Sequence, residues 1–227
     1  MAAASARRAA NAVRVIFLGP PGAGKGTQAA RLAARLGVPK ISTGDMLRAA
    51  IAEGTPIGRE ARPLMAKGNL APDALSVALV RERIAETDCG NGFVLDGFPR
   101  TLPQARGLEE MTGGDSRGFV VFDFEVPRGE LVRRLSGRRW CPACQSTFHL
   151  ESDPPKRTGV CDVDGVALVQ RHDDEESVIA ERLREYDART FPLIEHYRTR
   201  AQMVPIDGNR PKDVVFQELL GAVEVHA

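Results

Sequence analysis

The sequence predicts an α/β fold, a doubly wound parallel sheet of five strands. Short apolar runs rich in β-branched and aromatic residues recur four times along the 227-residue chain, and 40–42 is a short fifth candidate strand. Segments with helical spacing of apolar residues separate these runs. A glycine-rich turn joins the first run to the first helix. Alternation of strands and helices favours a parallel sheet, because a crossover between parallel strands usually contains a helix.

The bulk composition is that of a globular protein, with 43 % hydrophobic and 27 % charged residues. The formal net charge of +1 argues against nucleic acid as a partner. No apolar run approaches the ~18 residues of a membrane span, so we expect no membrane partner. Residues 1–12 are rich in alanine, with two arginines and no apolar core of a secretory signal. We interpret them as a disordered extension and expect a cytoplasmic location.

The first strand, 13–18, leads into a turn that can bind phosphate. The turn reads Gly19-Pro20-Pro21-Gly22-Ala23-Gly24-Lys25-Gly26-Thr27, and a helix follows over 28–36. Glycines let successive backbone N–H groups point at an anion, and the positive end of the helix points the same way. Lys25 adds a point charge for the β- and γ-phosphates. Gly26 departs from the usual Ser or Thr after the lysine, and a flexible turn is the alternative interpretation.

The following elements continue the alternation. Residues 40–48 read as a short strand entering a helix, with Ser42 and Thr43 as capping residues. We expect Gly54, Gly58, Pro63 and Gly68 to break the next stretch into short helices. The remaining predicted elements are a helix at 74–85, a strand at 92–97 that contains Asp96, a helix through 104–108, a strand at 118–126, a helix at 127–137, a strand at 203–207 and a helix from 211.

Two long stretches interrupt this alternation, 42–71 and 138–174. Such stretches within a compact domain are usually functional lids. The predicted core therefore consists of 13–41, 72–137 and 175–227, with two inserts.

The second stretch contains a candidate metal site. Cys141 and Cys144 are separated by sixteen residues from a third cysteine, and the position expected for a fourth is an aspartate. The expected ligands are Cys141, Cys144, Cys161 and Asp164, and His149, Asp162 and His172 compete for the fourth place. Four protein ligands would leave no open position, so we expect structural Zn²⁺. A regulatory disulfide or unbound thiols are the alternatives, and Cys89 is expected to pack in the core.

Several linked motifs resemble the adenylate kinase family. They are Gly19 to Gln28, Ile41-Ser42-Thr43-Gly44-Asp45-Met46-Leu47-Arg48, Leu95-Asp96-Gly97-Phe98-Pro99-Arg100-Thr101, Gly137-Arg138-Arg139, and Arg171-His172-Asp173-Asp174 followed by Arg182 and Tyr186. The resemblance runs from Val13 to the end of the chain. Gly26 agrees with it, since these kinases carry Gly-Lys-Gly-Thr. The chain is most similar to the long-lid form of bacteria and organelles.

The resemblance implies a P-loop fold with an AMP-binding helical insert (42–71) and a zinc-ribbon-like lid (138–174). It implies reversible phosphoryl transfer from Mg-ATP to AMP, giving two ADP, by a monomer that uses Mg²⁺. Transfer of this kind needs positioning and neutralised charge rather than a catalytic triad. The implied catalytic residues are Lys25, Arg48, Arg100, Arg138, Arg171, Arg182 and Asp96, with Arg134 assisting.

The same resemblance implies two nucleotide sites. The ATP site would comprise Gly22, Ala23, Gly24, Lys25, Gly26, Thr27, Arg138, Thr147, Phe148 and Arg210. The AMP site would comprise Thr43, Arg48, Asn69, Leu70, Ala71, Gly97, Phe98, Pro99, Arg100, Gln104, Arg171 and Arg182.

Single residues of these motifs also have ordinary structural interpretations. An isolated arginine is usually a solvated surface residue, Asp96 could cap a helix, and at least one of Asp173 and Asp174 could be a cap. The resemblance implies that these two aspartates are lid-hinge residues and leaves open whether either has a catalytic part. The alternative functions are a UMP/CMP kinase on the same fold, a non-catalytic nucleotide sensor and a nucleic-acid-binding zinc ribbon. Thr43 with Gln104 favours AMP.

Overall fold

The structure, a computed structural model, describes residues 12–114 and 116–226. The predicted disordered extension at 1–12 lies outside the described residues except for Ala12.

A parallel sheet of five strands forms the centre of the molecule. Its strands are β1 (Val13–Leu18), β2 (Lys40–Ser42), β3 (Gly92–Asp96), β4 (Phe119–Glu125) and β7 (Gln202–Asp207). Their order in the sheet is β2-β3-β1-β4-β7. The chain places β2 and β3 on one side of β1 and then crosses over to place β4 and β7 on the other side. A separate antiparallel pair consists of β5 (Arg138–Trp140) and β6 (Thr147–His149). The predicted doubly wound α/β fold is confirmed.

Nine α-helices occur in the described part of the chain. They are α1 (Lys25–Leu36), α2 (Thr43–Ala52), α3 (Pro56–Ala66), α4 (Asp73–Ile84), α5 (Leu102–Met111), α6 (Arg128–Ser136), α7 (Glu176–Glu185), α8 (Pro192–Arg198) and α9 (Lys212–His226). A π-helical segment, Tyr186–Thr190, lies between α7 and α8. Within the described residues, no helix combines the length and the apolarity that a membrane crossing requires.

The sheet separates two apolar layers. Side chains of β1 alternate between its faces, because successive residues of a strand point in opposite directions. Val15 and Phe17 pack with α1, α6, α7 and α9, whereas Ile16 and Leu18 pack with α4, α5 and α8. The central strand is therefore apolar along nearly its whole length, as is usual when helices cover both faces.

Helix α3 corrects one prediction. Gly58 and Pro63 were expected to interrupt it, yet both lie inside the helix. A Cβ at Gly58 would come within 2.0 Å of the Ala50 carbonyl oxygen, so this glycine permits close packing against α2. Thr55 caps the helix by accepting from the Gly58 N–H at 3.1 Å, and Pro56 occupies the first turn, where its missing N–H costs nothing. Packing and capping outweigh the local breakers.

Candidate nucleotide site

The glycine-rich turn lies at the carboxyl end of β1 and opens helix α1. Gly22 and Gly24 have φ values of 86° and 90°, in the left-handed region that disfavours other residues. Lys25 begins α1, and its Nζ donates to the carbonyl oxygens of Gly19 and Pro20, each at 2.7 Å. The loop thus holds its ammonium group at the helix N-terminus, where an anion is favoured.

Buried cations surround this turn. Burial lowers the pKa of Lys25 to about 7, and the charges of Arg100, Arg182 and Arg138 oppose its protonation further, although Asp96 favours it. Burial also lowers the pKa of Arg100 to about 10 and that of Arg171 to about 9. Because each cation costs free energy in this environment, a polyanion that neutralised them would bind favourably.

Gly26 has a physical reason to be a glycine. A Cβ at this position would lie 3.2 Å from Oδ2 of Asp96, at the end of β3. A larger side chain would therefore crowd the carboxylate. Asp96 has a 14 % exposed side chain, and its Oδ2 lies 3.9 Å from the Lys40 ammonium. Its position at the carboxyl edge of the sheet is where ligands of such folds bind.

Asp174 joins two of the predicted arginines. Its fully buried carboxylate accepts from both Arg138 and Arg182, with Arg182 Nη1 at 2.6 Å. Arg182 also donates to the carbonyl oxygen of Asp173 at 2.9 Å and pairs with its carboxylate at 3.1 Å. Burial would raise the pKa of Asp173, but Arg182 and further arginines hold it below its usual range. Asp174 therefore fixes two guanidinium groups that are 44 residues apart in sequence, and Asp173 adds a second contact to Arg182.

A second carboxylate, Asp45, orients Arg48. It accepts from Arg48 Nη2 at 2.5 Å and from Lys40 Nζ at 3.0 Å. Burial would raise the pKa of Asp45, yet these two cations hold it well below its usual range. Asp45 is thus ionised at neutral pH and fixes Arg48 at the start of the first long insert.

A hydrogen-bonded group lies at the other end of the site. Gln104 is buried, its Nε2 donates to Asp73 Oδ1 at 2.8 Å, and its Oε1 accepts from the Arg100 N–H at 2.8 Å. Thr43 Oγ1 donates to the carbonyl oxygen of Gly97 at 2.8 Å. Both side chains are therefore oriented by the protein itself.

One cavity of about 900 Å³ connects the P-loop with Asp96, Thr43, Gln104 and the arginines, whereas Asp73 and Asp174 lie behind its lining. Of the predicted catalytic and nucleotide-site residues, it is lined by Gly22, Ala23, Gly24, Lys25, Gly26, Thr27, Thr43, Arg48, Asn69, Leu70, Ala71, Asp96, Gly97, Pro99, Arg100, Gln104, Arg138, Thr147, Phe148, Arg171, Arg182 and Arg210, as well as by Arg134. Phe98 does not line it, because its side chain is fully buried in the apolar layer beside α5.

The predicted metal ligands also come together. The ligand atoms of Cys141, Cys144, Cys161 and Asp164 all lie within 4.8 Å of one another. The Sγ atoms of Cys144 and Cys161 are 3.5 Å apart. Two zinc–sulfur bonds of about 2.3 Å at the tetrahedral angle would place the sulfurs roughly 3.7 Å apart. The competing His149 has other partners, since its Nδ1 accepts from the N–H groups of Glu151 and Ser152, each at 3.1 Å.

The sequence reasoning missed the carboxylates that orient the site. Asp45 and Asp73 were not assigned to it, and Asp174 was expected as a cap or lid-hinge residue, with a catalytic part left open. Asp45 precedes Arg48 by one helical turn, which is the spacing of an ion pair, so that signal was available. Asp73 lies 31 residues from Gln104, and no local pattern connects the two.

The P-loop lies at the carboxyl edge of a parallel sheet and faces a cavity lined by several arginines. This arrangement is that of the P-loop phosphotransferases that act on nucleotides. Comparison with known proteins narrows this class. A family model described as adenylate kinase matches residues 17–202. The adenylate kinase of Syntrophobacter fumaroxidans is 49 % identical over 205 residues, which cover 90 % of this chain and 96 % of that protein.

Two further relatives come from other organisms. The adenylate kinase of Moorella thermoacetica is 48 % identical, with 87 % of this chain and 92 % of that protein covered. The adenylate kinase of Archaeoglobus fulgidus is 45 % identical, with 93 % and 98 % covered. The chain therefore belongs to the adenylate kinase family, and its activity is that of a nucleoside monophosphate kinase. The predicted family and enzyme class are confirmed.

Proposed function

We propose that the chain transfers the terminal phosphoryl group of Mg-ATP to AMP reversibly, giving two ADP without a covalent enzyme intermediate. One observation supports this most strongly. A single cavity runs from the P-loop at one end to Thr43 and Gln104 at the other, and Arg48, Arg100, Arg138, Arg171 and Arg182 all line it. Such a cavity suits two nucleotides whose phosphates meet among the arginines.

The arginines would supply positioning and charge stabilisation. Phosphoryl transfer spreads negative charge over the oxygens of the moving group, so fixed cations stabilise the transition state. Lys25 would follow the donor's β- and γ-phosphates, and Arg48 and Arg100 would hold the acceptor's phosphate. Arg138, Arg171 and Arg182 would surround the transferring group, with Arg138 and Arg182 fixed by Asp174. Closure of the inserts would exclude water.

The acceptor base would be chosen by hydrogen bonding at Thr43. Because its hydroxyl proton is donated to the Gly97 carbonyl, the Thr43 oxygen can only accept from a ligand. Adenine carries a donating amino group at its sixth position, whereas guanine and uracil carry an accepting oxygen at the equivalent edge. Gln104 keeps one N–H and one lone pair beyond its bonds to Asp73 and Arg100, so it can pair with adenine. These contacts favour AMP over UMP and GMP.

Asp96 would hold the Mg²⁺ of Mg-ATP, directly or through water. Its carboxylate lines the cavity beside the P-loop, and its nearest cation, Lys40, stays 3.9 Å away, so its oxygens remain available. Oxygen ligands of this kind suit Mg²⁺. The ion supplies neutralisation of charge on the donor phosphates when bound.

Cys141, Cys144, Cys161 and Asp164 would hold Zn²⁺ in a structural role. The ligand atoms match a tetrahedral site in number and spacing. Four protein ligands leave no position for a substrate. The ion would tie together the segment 138–174 and take no part in transfer.

We also propose that the protein acts as a cytoplasmic monomer. The single chain supplies every residue of the proposed site. Three thiolate ligands require a compartment that keeps cysteines reduced. The net charge of +1 favours small nucleotides over nucleic acid or membranes as partners.

A nucleotide assay tests this proposal. The protein is mixed with Mg-ATP and, in parallel, AMP, UMP, CMP or GMP, and the products are separated by chromatography. We expect two ADP for each AMP consumed, with UMP and GMP slow. Fast transfer to UMP or GMP would contradict the proposed reading by Thr43 and Gln104. No transfer to any acceptor would contradict the function itself, and would favour a nucleotide sensor.

A further inference from the structure

Arg171 is held differently from the other arginines of the cavity. Its side chain is 12 % exposed, and within the described residues it donates no hydrogen bond at normal distance. Its nearest carboxylate is Asp45, with Arg171 Nη2 and Asp45 Oδ1 3.9 Å apart. Arg138 and Arg182, in contrast, donate directly to Asp174. A buried guanidinium without a close carboxylate needs another source of orientation.

Trp140 supplies a surface against which Arg171 lies. The Arg171 Cζ is 5.1 Å from the centroid of the indole ring, within the range of a cation–π contact. Trp140 belongs to β5, and its backbone exchanges two hydrogen bonds with Val169, at 2.8 and 2.9 Å. This pairing fixes the backbone of Trp140 beside the segment that leads to Arg171. The chain has one tryptophan, so Trp140 is the one indole that could hold Arg171 in this way.

We propose that Trp140 is a positioning residue for phosphoryl transfer, holding the Arg171 guanidinium through the face of its indole ring. The inference rests on the proposed role of Arg171 at the transferring group. An aromatic face attracts a cation without occupying its N–H groups, whereas a carboxylate accepts from them. Arg171 therefore keeps its donors free for phosphate oxygens while its orientation is limited. Arg138 and Arg182 have already committed donors to Asp174.

A purely structural role for Trp140 is the competing explanation, because its neighbour Cys141 is a proposed zinc ligand. Two substitutions separate these roles. Trp140→Phe keeps an aromatic face, and it removes no hydrogen bond since the indole Nε1 has no partner within the described residues. Trp140→Leu keeps an apolar side chain without a π system. Leu150→Ala removes an exposed apolar side chain of the same segment and serves as a matched control.

Steady-state kinetics of the full chain provide the first readout. We expect Trp140→Leu to lower kcat about tenfold, with KM for either nucleotide within about twofold. The kcat of Trp140→Phe should stay within about threefold of that of the wild type. The kcat of Leu150→Ala should equal that of the wild type. Zinc content and melting temperature should be equal in all of them. In an Arg171→Ala background, Trp140→Leu should cause no additional loss, because the contact is already gone.

A spectroscopic readout needs no nucleotide. Since Trp140 is the single tryptophan, the emission of the chain reports on the surroundings of this indole, which include Arg171. We expect Arg171→Ala to change the indole emission and Arg184→Ala, on the exposed side of α7, to leave it unchanged. An unchanged emission in Arg171→Ala would overturn the proposal. Equal kinetic losses in Trp140→Phe and Trp140→Leu, accompanied by loss of zinc, would also overturn it. Absence of phosphoryl transfer in the wild type would contradict the proposed function instead. The emission of Arg171→Ala would still show whether Trp140 and Arg171 are in contact.

Discussion

Two segments border the cavity, 43–66 and 138–174, and their interiors differ. In the first, Leu47 of α2 and Ala61 of α3 are buried in an apolar cluster that also includes Ala71. None of the apolar clusters among the described residues includes a residue of 138–174. The strands of that second segment have three residues each, and Val163 is 70 % exposed. Its four proposed metal ligands lie together instead.

This difference shows that similar positions around one cavity can be stabilised in different ways. Helices α2 and α3 bury apolar surface against each other and α4, which stabilises them without a ligand. A segment with so little apolar burial needs another source of stability, and the proposed metal site of three cysteines and an aspartate would supply it. We therefore expect the first segment to respond to core substitutions and the second to respond to metal removal.

The largest effect should come from Arg182, which lies outside both segments but contacts the end of the second through Asp173 and Asp174. Arg182→Ala should lower kcat about 10³-fold, because it removes a cation that we propose stabilises the transferring group. Arg184→Ala on the same helix is the control, since Arg184 is 70 % exposed and pairs with Glu181. Turnover measured for both should show a loss in Arg182→Ala alone. A comparable loss in Arg184→Ala would indicate damage to the helix.

The next effect concerns the apolar interior of the first segment. Leu47→Ala should lower the free energy of unfolding by about 3 kcal/mol, because it leaves a cavity in the cluster. Val163→Ala in the second segment should change it by less than about 0.5 kcal/mol. Urea unfolding followed by circular dichroism measures both. Equal destabilisation by the two substitutions would remove the distinction between the segments.

The smallest predicted effect is the uptake of a proton by Lys25, in the cavity that the two segments border, when Mg-ATP binds. With the pKa of Lys25 near 7 through burial, this side chain is largely neutral at about pH 8 in the free protein. A bound polyphosphate favours the charged form and raises the pKa, so binding of Mg-ATP should take up close to one proton at that pH. The uptake should fall toward zero at about pH 6, where the lysine is already protonated.

Calorimetric titration in two buffers of different ionisation enthalpy measures this uptake. Lys25→Met should abolish the proton uptake without changing the stability of segment 43–66 or of segment 138–174. An uptake that persisted in Lys25→Met would assign the proton to another group.

The sequence predicted the elements whose signals are local. The apolar runs of β1, β3 and β4, the P-loop and the spacing of Cys141, Cys144 and Cys161 all depend on neighbouring residues. Contacts between distant residues left no such signal. Asp174 meets Arg138 across 36 residues, and the Trp140–Arg171 contact depends on the pairing of Trp140 with Val169. Pro63 and Gly58 misled the local reasoning, because tertiary packing of α3 on α2 outweighs their intrinsic preferences.

Hydrogen exchange of the full chain, followed by mass spectrometry before and after zinc chelation, tests the difference between the two segments most directly. Exchange protection reports the local stability of each segment separately. We predict that chelation removes protection from 138–174 and leaves that of 43–66 unchanged. Equal loss of protection in both segments, or no loss in 138–174, would contradict the account.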